Sequence, residues 1–184
     1  MRKVIAAMNI SLDGFCDHTM GIVNDELHNH YTEMIQHAGT LLYGRTTYQL
    51  MEIYWPELVK NPSGDQSSDD FAIAIDNVQK VVFSRTLKHV EWRNTTLATR
   101  GLKEEVLALR EQPGNDIFIG SPGLIAQLTE LHLIDEYQLA VHPVIAGHGL
   151  PLFKNISDTI VLNRVKTKTF TTGVMVHWYQ PVKK

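Results

Sequence analysis

Two arginines and their neighbours are the residues of this chain best suited to hold an anion. Gly44-Arg45-Thr46-Thr47 offers a guanidinium, two hydroxyls and the amides that open a helix, and Ser84-Arg85-Thr86 offers a second guanidinium between two hydroxyls. A guanidinium fork matches phosphate oxygens in pairs. Two of them at neighbouring strand ends would grip a phosphomonoester and favour NADP over NAD through the 2′-phosphate. Taken singly, either arginine also fits an ordinary solvated surface charge. A second junction, Ile119-Gly120-Ser121-Pro122-Gly123, again sets glycine between an apolar run and a helix. Glycine lets backbone approach a ligand closely, and first-turn amides with the positive end of the helix dipole attract anions. Two such junctions fit two phosphates of one dinucleotide. The second lacks the third glycine and later acidic partner of the dinucleotide fingerprint, so a tight turn before a helix is its alternative.

Three carboxylates are candidates for proton chemistry. Asp25 and Glu26 open the helix predicted after the first loop, and either becomes a proton donor or hydrogen-bond acceptor if burial raises its pKa toward neutrality. Acidic residues in a first turn also serve as dipole partners. Asp13 is the third, with a turn-forming role as its alternative. His30, Glu33 and His37 share a helical face, but their order is not His-Glu-x-x-His and no fourth ligand is evident, so no metal is expected. No Gly-x-Ser-x-Gly elbow of a serine hydrolase occurs.

The elements that must position these residues follow from periodicity. Val4 to Met8 reads as a buried strand broken by Asn9-Ile10-Ser11-Leu12-Asp13-Gly14. Leu27, Tyr31, Met34, Ile35 and Ala38 recur at helical spacing, with Asn24 as cap and Gly39 at the C′ position. Thr40 to Tyr43 is the next strand, and the helix after it runs from Arg45 to Tyr54, ended by Trp55-Pro56. Asn61 to Asp70 reads as a polar surface loop before a short helix through Phe71, Ile73 and Ile75. Strands at Lys80 to Ser84 and Thr95 to Thr99, a helix at Leu102 to Arg110, the Ile117-Phe118-Ile119 strand, a helix at Leu124 to Leu133 and a strand at Glu136 to His142 follow. Two last strands, Thr159 to Thr169 and Val174 to Tyr179, form a hairpin around Thr172-Gly173. Strand and helix alternate first and antiparallel strands finish. That order predicts an α/β fold with a mostly parallel sheet, helices on both faces, and ligands beyond the carboxyl ends of the strands.

Composition narrows the partners. At 184 residues, 43% hydrophobic and 20% charged, the chain suits a single domain over 1–184. A net charge of −3 and the lack of a dense Lys/Arg run argue against nucleic acid. The lone Cys16 points to a reducing compartment, and the amino-terminal apolar stretch is too short for a signal peptide, so a cytoplasmic protein without membrane contact is expected. Trp55, Trp92 and Trp178 read as packing residues. The Val174 to Tyr179 strand is apolar on both faces and needs a cover, which self-association would provide.

In order along nearly the whole chain, the motifs resemble the dihydrofolate-reductase-like superfamily and, within it, the reductase (RibD C-terminal) domain of riboflavin biosynthesis proteins. They are the first strand with Ser11-Leu12-Asp13-Gly14, Gly44-Arg45-Thr46-Thr47-Tyr48, Ser84-Arg85, Ile119-Gly120-Ser121-Pro122-Gly123, and Pro143-Val144-Ile145-Ala146-Gly147-His148-Gly149-Leu150-Pro151-Leu152-Phe153. The last segment points to the riboflavin-type branch. The resemblance implies a three-layer α/β/α fold with antiparallel C-terminal strands, a homodimer, and an NADPH-dependent reductase of a small carbonyl or imine, similar to 5-amino-6-(5-phosphoribosylamino)uracil reductase or dihydrofolate reductase. It implies nicotinamide contact by Ala7 and the Asp13-Gly14 loop, and phosphate contact by Gly44, Arg45, Thr46, Ser84 and Arg85. Gly120, Ser121 and Gly123 would cover the pyrophosphate, and His148 would face the substrate. A carboxylate on the helix after the first loop, Asp25 or Glu26, would assist protonation. The zinc deaminase half of the bifunctional proteins is missing: no His-x-Glu precedes a Pro-Cys-x-x-Cys. The competing class is a non-catalytic nucleotide-binding or regulatory protein that keeps the fold.

Overall fold

The computed structural model describes residues 1–16, 19 and 21–182. In chain order the elements are β1 (Val4–Ser11), β2 (Phe15–Cys16), α1 (Asp25–Gln36), β3 (Thr40–Gly44), α2 (Arg45–Lys60), α3 (Gln66–Asn77), β4 (Lys80–Phe83) and β5 (Thr95–Leu97). They continue with α4 (Leu102–Glu111), β6 (Ile117–Ile119), α5 (Pro122–Glu130), β7 (Glu136–His142), β8 (Leu150–Pro151), β9 (Leu162–Thr169) and β10 (Met175–Pro181). The class is three-layer α/β with a mostly parallel sheet and antiparallel C-terminal strands. No helix among the described residues is long and apolar enough to cross a membrane. The chain forms two compact units, Met1–Arg2 with Asn24–Phe118 and Lys3–Val23 with Ile119–Lys184.

In the first unit β5, β4 and β3 lie side by side, all parallel. Leu41, Leu42 and Tyr43 are buried in succession, as a strand covered on both faces requires. Leu27 of α1, Leu42 of β3, Ile75 of α3 and Val82 of β4 are inaccessible or nearly so and form its core. Burying such side chains supplies about 1.5–3 kcal/mol each. Gly39 has a different reason from the expected left-handed cap: its φ is not positive, and a Cβ there would lie 2.4 Å from the Asn115 carbonyl oxygen. The position needs glycine for space.

Two helices differ from expectation. α2 does not end at Trp55-Pro56 but continues to Lys60. Proline inside a helix forfeits one backbone bond and costs about 3 kcal/mol in isolation. Here Trp55 packs its ring 4.5 Å from Phe71 of α3 and 4.8 Å from Tyr54, and this tertiary contact holds the following turn. α3 begins at Gln66, inside the segment read as a loop. Asp65 Oδ2 accepts from the Ser68 amide at 2.9 Å, capping the helix, and Asp69 accepts from the Ser63 and Gly64 amides. The polar residues that suggested a loop are the helix's own capping apparatus.

Lys80 opens β4 and is 1% exposed. Its Nζ donates to the carbonyls of Ile75, Asp76 and Val78 at 2.8, 3.1 and 2.9 Å, and lies 4.4 Å from the Trp92 ring centroid. Those carbonyls belong to the end of α3, where the dipole is negative and the helix has no basic residue in its own last turn. Burial pushes the ammonium down to about 8, with Asp76 opposing the shift.

In the second unit the order is β1-β7-β10-β9, with β1 and β7 parallel and the other pairs antiparallel. β1 runs on to Ser11, beyond the expected break at Asn9. Its polar residues are paired: Asn9 Oδ1 meets His142 Nε2 at 2.9 Å, and Ser11 Oγ donates to Asp13 at 2.6 Å. β9 faces Trp178 with Lys166 and Tyr179 with Arg164, so Val165 bulges between them. Lys166 lies over the Trp178 ring and Lys168 over Phe170, so this outer strand carries both a bulge and cations, devices that discourage edge-to-edge pairing.

Candidate functional site

In the first unit β3 and β4 are parallel neighbours whose register ends at Gly44 opposite Phe83. The next residues along each chain are Arg45, the first of α2, and Ser84-Arg85. The structure therefore brings Gly44, Arg45, Thr46, Ser84 and Arg85 to the carboxyl ends of adjoining strands. Arg45, Thr46 and Arg85 are exposed. Gly44 is the N-cap of α2 and supplies no side-chain bond, so the first turn of a sixteen-residue helix has no capping side chain. Ser84 Oγ accepts from the Thr86 and Leu87 amides at 3.1 and 2.9 Å, which shapes the turn, and lies 3.5 Å from Thr86 Oγ1. An open helix N-terminus with two guanidiniums and four hydroxyl-bearing neighbours, Thr46, Thr47, Ser84 and Thr86, suits a phosphate. Beyond it a cleft of ≈ 450 Å³ opens between Tyr48, Glu52 and Ile53 of α2 and Leu87, His89 and Glu91.

Asp25 and Glu26 belong to the same unit. Asn24 caps α1 by accepting from the Leu27 amide at 3.0 Å. Ser67 Oγ lies 3.1 Å from both Asp25 Oδ1 and Asp65 Oδ2, which ties the start of α1 to the start of α3. Asp25 is thus engaged in joining two helices. Glu26 is half-buried beside it.

The second unit holds the other predicted residues. Ala7 is buried in the middle of β1, opposite Gln138. Beyond the end of β1, Asp13 accepts from Ser11 Oγ and from the amides of Ala146 and Gly147 at 3.0 and 2.7 Å. The Ser11 bond first, then the two amides, hold its carboxyl down at about 2. Leu12 N to Val144 O and Leu152 N to Gly14 O add bonds between the same two loops. Asp13 is therefore the clamp between the loops after β1 and β7; a donor near neutral pH would need the opposite shift. Gly14 holds φ +85°, which a side chain would strain. Ser121 is buried at the N-cap of α5 with Pro122 behind it, and Gly120 and Gly123 flank it at the surface. His148 is exposed, its Nδ1 2.9 Å from the Ala146 carbonyl.

His142 and Asn9 were not singled out by sequence reasoning. His142 is fully buried, with Nδ1 3.0 Å from the Ile22 amide and Nε2 against Asn9. The one signal was a histidine closing an otherwise apolar-alternating strand; its partners lie far along the chain. Among the described residues no group of three or more metal-ligating side chains is gathered.

Comparison with known proteins bears on the family and the fold. The sequence pattern of the RibD C-terminal domain matches residues 2–176. The uncharacterized protein YyaP of Bacillus subtilis (strain 168) is 33% identical over 186 residues, covering 96% of this chain and 95% of that protein. The fold is similar to a diaminohydroxyphosphoribosylaminopyrimidine deaminase/5-amino-6-(5-phosphoribosylamino)uracil reductase from Thermotoga maritima, at TM-score 0.67 and 18% identity, covering 98% of this chain and 57% of that one. It is also similar to dihydrofolate reductase from Enterococcus faecalis complexed with NADP(H), at TM-score 0.66 and 15% identity over 98% and 97% of the two chains. One family pattern thus spans both compact units, and this chain belongs to the RibD C-terminal domain family.

Proposed function

We propose that the protein is an NADPH-dependent reductase of a small carbonyl or imine related to ribosylaminopyrimidines or pterins. The observation that carries this reading is the pair Arg45 and Arg85 at the ends of adjoining parallel strands, beside a helix N-terminus with no capping side chain. Two guanidiniums so placed select a phosphomonoester, the group that distinguishes NADPH from NADH. Thr46 and Ser84 would add hydroxyl donors to it. Gly120, Ser121 and Gly123 would take the pyrophosphate by backbone, and Ala7 with Gly14 the nicotinamide. When bound, the cofactor supplies the hydride, and the chain's work is binding, orientation and one proton. Hydride goes to the electrophilic carbon and a proton to the oxygen or nitrogen double-bonded to it. Of the three candidate acids, Asp13 clamps loops and Asp25 is exposed, so the half-buried Glu26 is assigned the proton.

Thermal unfolding with NADPH and separately NADH tests the cofactor assignment. Ligand at about a hundred times its dissociation constant adds roughly 2.7 kcal/mol. The expected result is an upward shift with NADPH that NADH does not match; equal shifts, or none, defeat it. The structural employment of Asp13 and Asp25 favours one other reading, a nucleotide-binding protein without turnover. NADPH oxidation in the presence of carbonyl substrates separates the two, since the second predicts binding and no oxidation.

The reading includes a cytoplasmic homodimer. Met175 is 38% exposed on a β10 face that His177 and Tyr179 only half cover, which leaves apolar surface for a second copy. A monomeric mass in light scattering at working concentration would refute the dimer.

A further inference from the structure

We infer that the outer side of α2 is a docking surface for another protein, and that the partner segment it fits is a basic amphipathic helix. The inference stands apart from the reductase reading and uses none of the residues assigned to it.

Leu50, Ile53 and Tyr54 follow one another at three- and four-residue spacing, so they adjoin on one side of the helix. They are 50%, 78% and 56% exposed. The other side of α2 is already occupied: Tyr48 is buried, and Trp55 packs on Phe71 of α3. A single exposed apolar residue is ordinary, whereas three in one patch mark a surface that something covers. Ile53 is also shared by two hollows of the same unit. The cleft of ≈ 450 Å³ lies between it and Leu87, and a smaller hollow of ≈ 180 Å³ lies between it, Tyr54 and Leu58. A projecting side chain with a hollow on either hand suits a second helix, whose own side chains fill the hollows as it lies across the ridge.

Charge selects that helix. Glu52 and Glu91 wall the larger hollow and Glu57 the smaller, and no Lys or Arg lines either. The Tyr48 hydroxyl donates to Glu52 Oε1, which fixes this carboxylate on the wall. Lys60 lies 3.9 Å from Glu57 and offsets one carboxylate of the three; His89 lies 3.8 Å from Glu91 and offsets another only when protonated. A wholly apolar partner would strip water from these carboxylates and give nothing back. Lys or Arg beside the apolar anchors would replace the water with charge-assisted bonds. A second copy of this chain fits less well, because a two-fold axis at Ile53 sets Glu52 and Glu57 against the same carboxylates of the other copy.

The probes are two synthetic amphipathic helices, one of Leu and Lys at heptad spacing and one with Glu in place of every Lys, titrated with the full chain by fluorescence anisotropy. The Lys helix should bind at least about tenfold more tightly than the Glu helix, and added salt should weaken it. Ile53→Ser and Leu50→Ser should each weaken it by about tenfold, as loss of an apolar anchor does. Glu57→Gln with Glu91→Gln should weaken it and flatten the salt dependence. All four side chains are exposed, so these variants should melt with the native protein. Equal binding of the two helices, or binding of neither, overturns the inference. Binding of the Lys helix that is indifferent to Ile53→Ser also overturns it, since the peptide then sits elsewhere on an acidic chain. A mass in light scattering that falls on Ile53→Ser overturns it as well, because the surface is then an interface between copies. NADPH enters none of these measurements, so the cofactor reading stands or falls separately.

Discussion

Lys80 and Arg85 stand at opposite ends of one strand and carry the same charge into opposite circumstances. Lys80, at the start of β4, is enclosed, and its ammonium protons meet three carbonyls at the end of α3. Arg85, just past the carboxyl end, is exposed beside Arg45 and the open N-terminus of α2. A cation whose donors are all matched within the chain stabilises the fold. Two exposed cations gathered at parallel strand ends repel each other, and in the proposed reading an anion relieves that repulsion. Among the carboxylates, Asp13 accepts three bonds and is spent on the loops, whereas Glu26 lies half-buried in the first turn of α1.

The largest effect that could break this contrast lies at Lys80. Lys80→Met keeps the stem and removes the charge, stranding the carbonyls at the end of α3, and should destabilise the protein by about 3 kcal/mol, since a buried acceptor left unsatisfied costs about 1–3 kcal/mol. Denaturant unfolding reads it. The pH dependence has a fixed sign: a lysine depressed from 10.5 to about 8 in the folded state contributes stability that is present above the unfolded value and lost as pH falls toward 8. Native stability should therefore gain an upward component between pH 8 and 10.5, and Lys80→Met should lack it. A variant with the native slope would place that titration elsewhere.

Next in size is the double change Arg45→Ala with Arg85→Ala. NADPH affinity should fall about a hundredfold, roughly 2.7 kcal/mol, and NADH affinity far less. Equal losses would reduce both arginines to general electrostatics. Glu26→Gln should then lower kcat and leave NADPH binding unchanged; a loss of binding alone would make Glu26 a structural residue like Asp25.

At Asp13 the contrast is sharpened by acid. Its folded carboxyl is held down at about 2 against an ordinary 3.8, so its contribution is present above 3.8 and lost as pH falls from there toward 2. Asp13→Asn should remove that part of the acid limb and speed hydrogen exchange at the Ala146 and Gly147 amides. Unchanged exchange at these two amides would mean the loops are held by the Leu12 and Leu152 backbone bonds instead.

These contrasts also mark how far the sequence could be read. β7 is legible from end to end because its alternation is local, and Arg45 with Ser84-Arg85 because each directly follows an apolar run. Nothing local tells the two ends of β4 apart. Lys80 looks like any surface lysine until α3 is seen to end over it, and His142 like a strand terminus until Asn9, on a parallel neighbour, is brought beside it. The continuation of α2 through Pro56 depends on Phe71 of another helix. The start of α3 was nearer to hand: Asp65 stands three residues before Ser68, in capping position, within a run whose polarity suggested a loop.

The smallest predicted effect is the most exacting for the contrast drawn here. Arg85→Ala alone, without nucleotide, should change stability by no more than about 0.5 kcal/mol, because the side chain is exposed and surface substitutions away from buried networks rarely do more. Relief of repulsion from Arg45 could even make the change slightly favourable, an effect that added salt would screen. The same variant should nonetheless lose part of the NADPH-induced shift. Stability and ligand response would then separate at Arg85 and stay together at Lys80, where the change weakens the fold itself. A stability loss at Arg85 comparable to that at Lys80 would show that its guanidinium is also committed within the chain, and would remove the ground for placing a phosphate there.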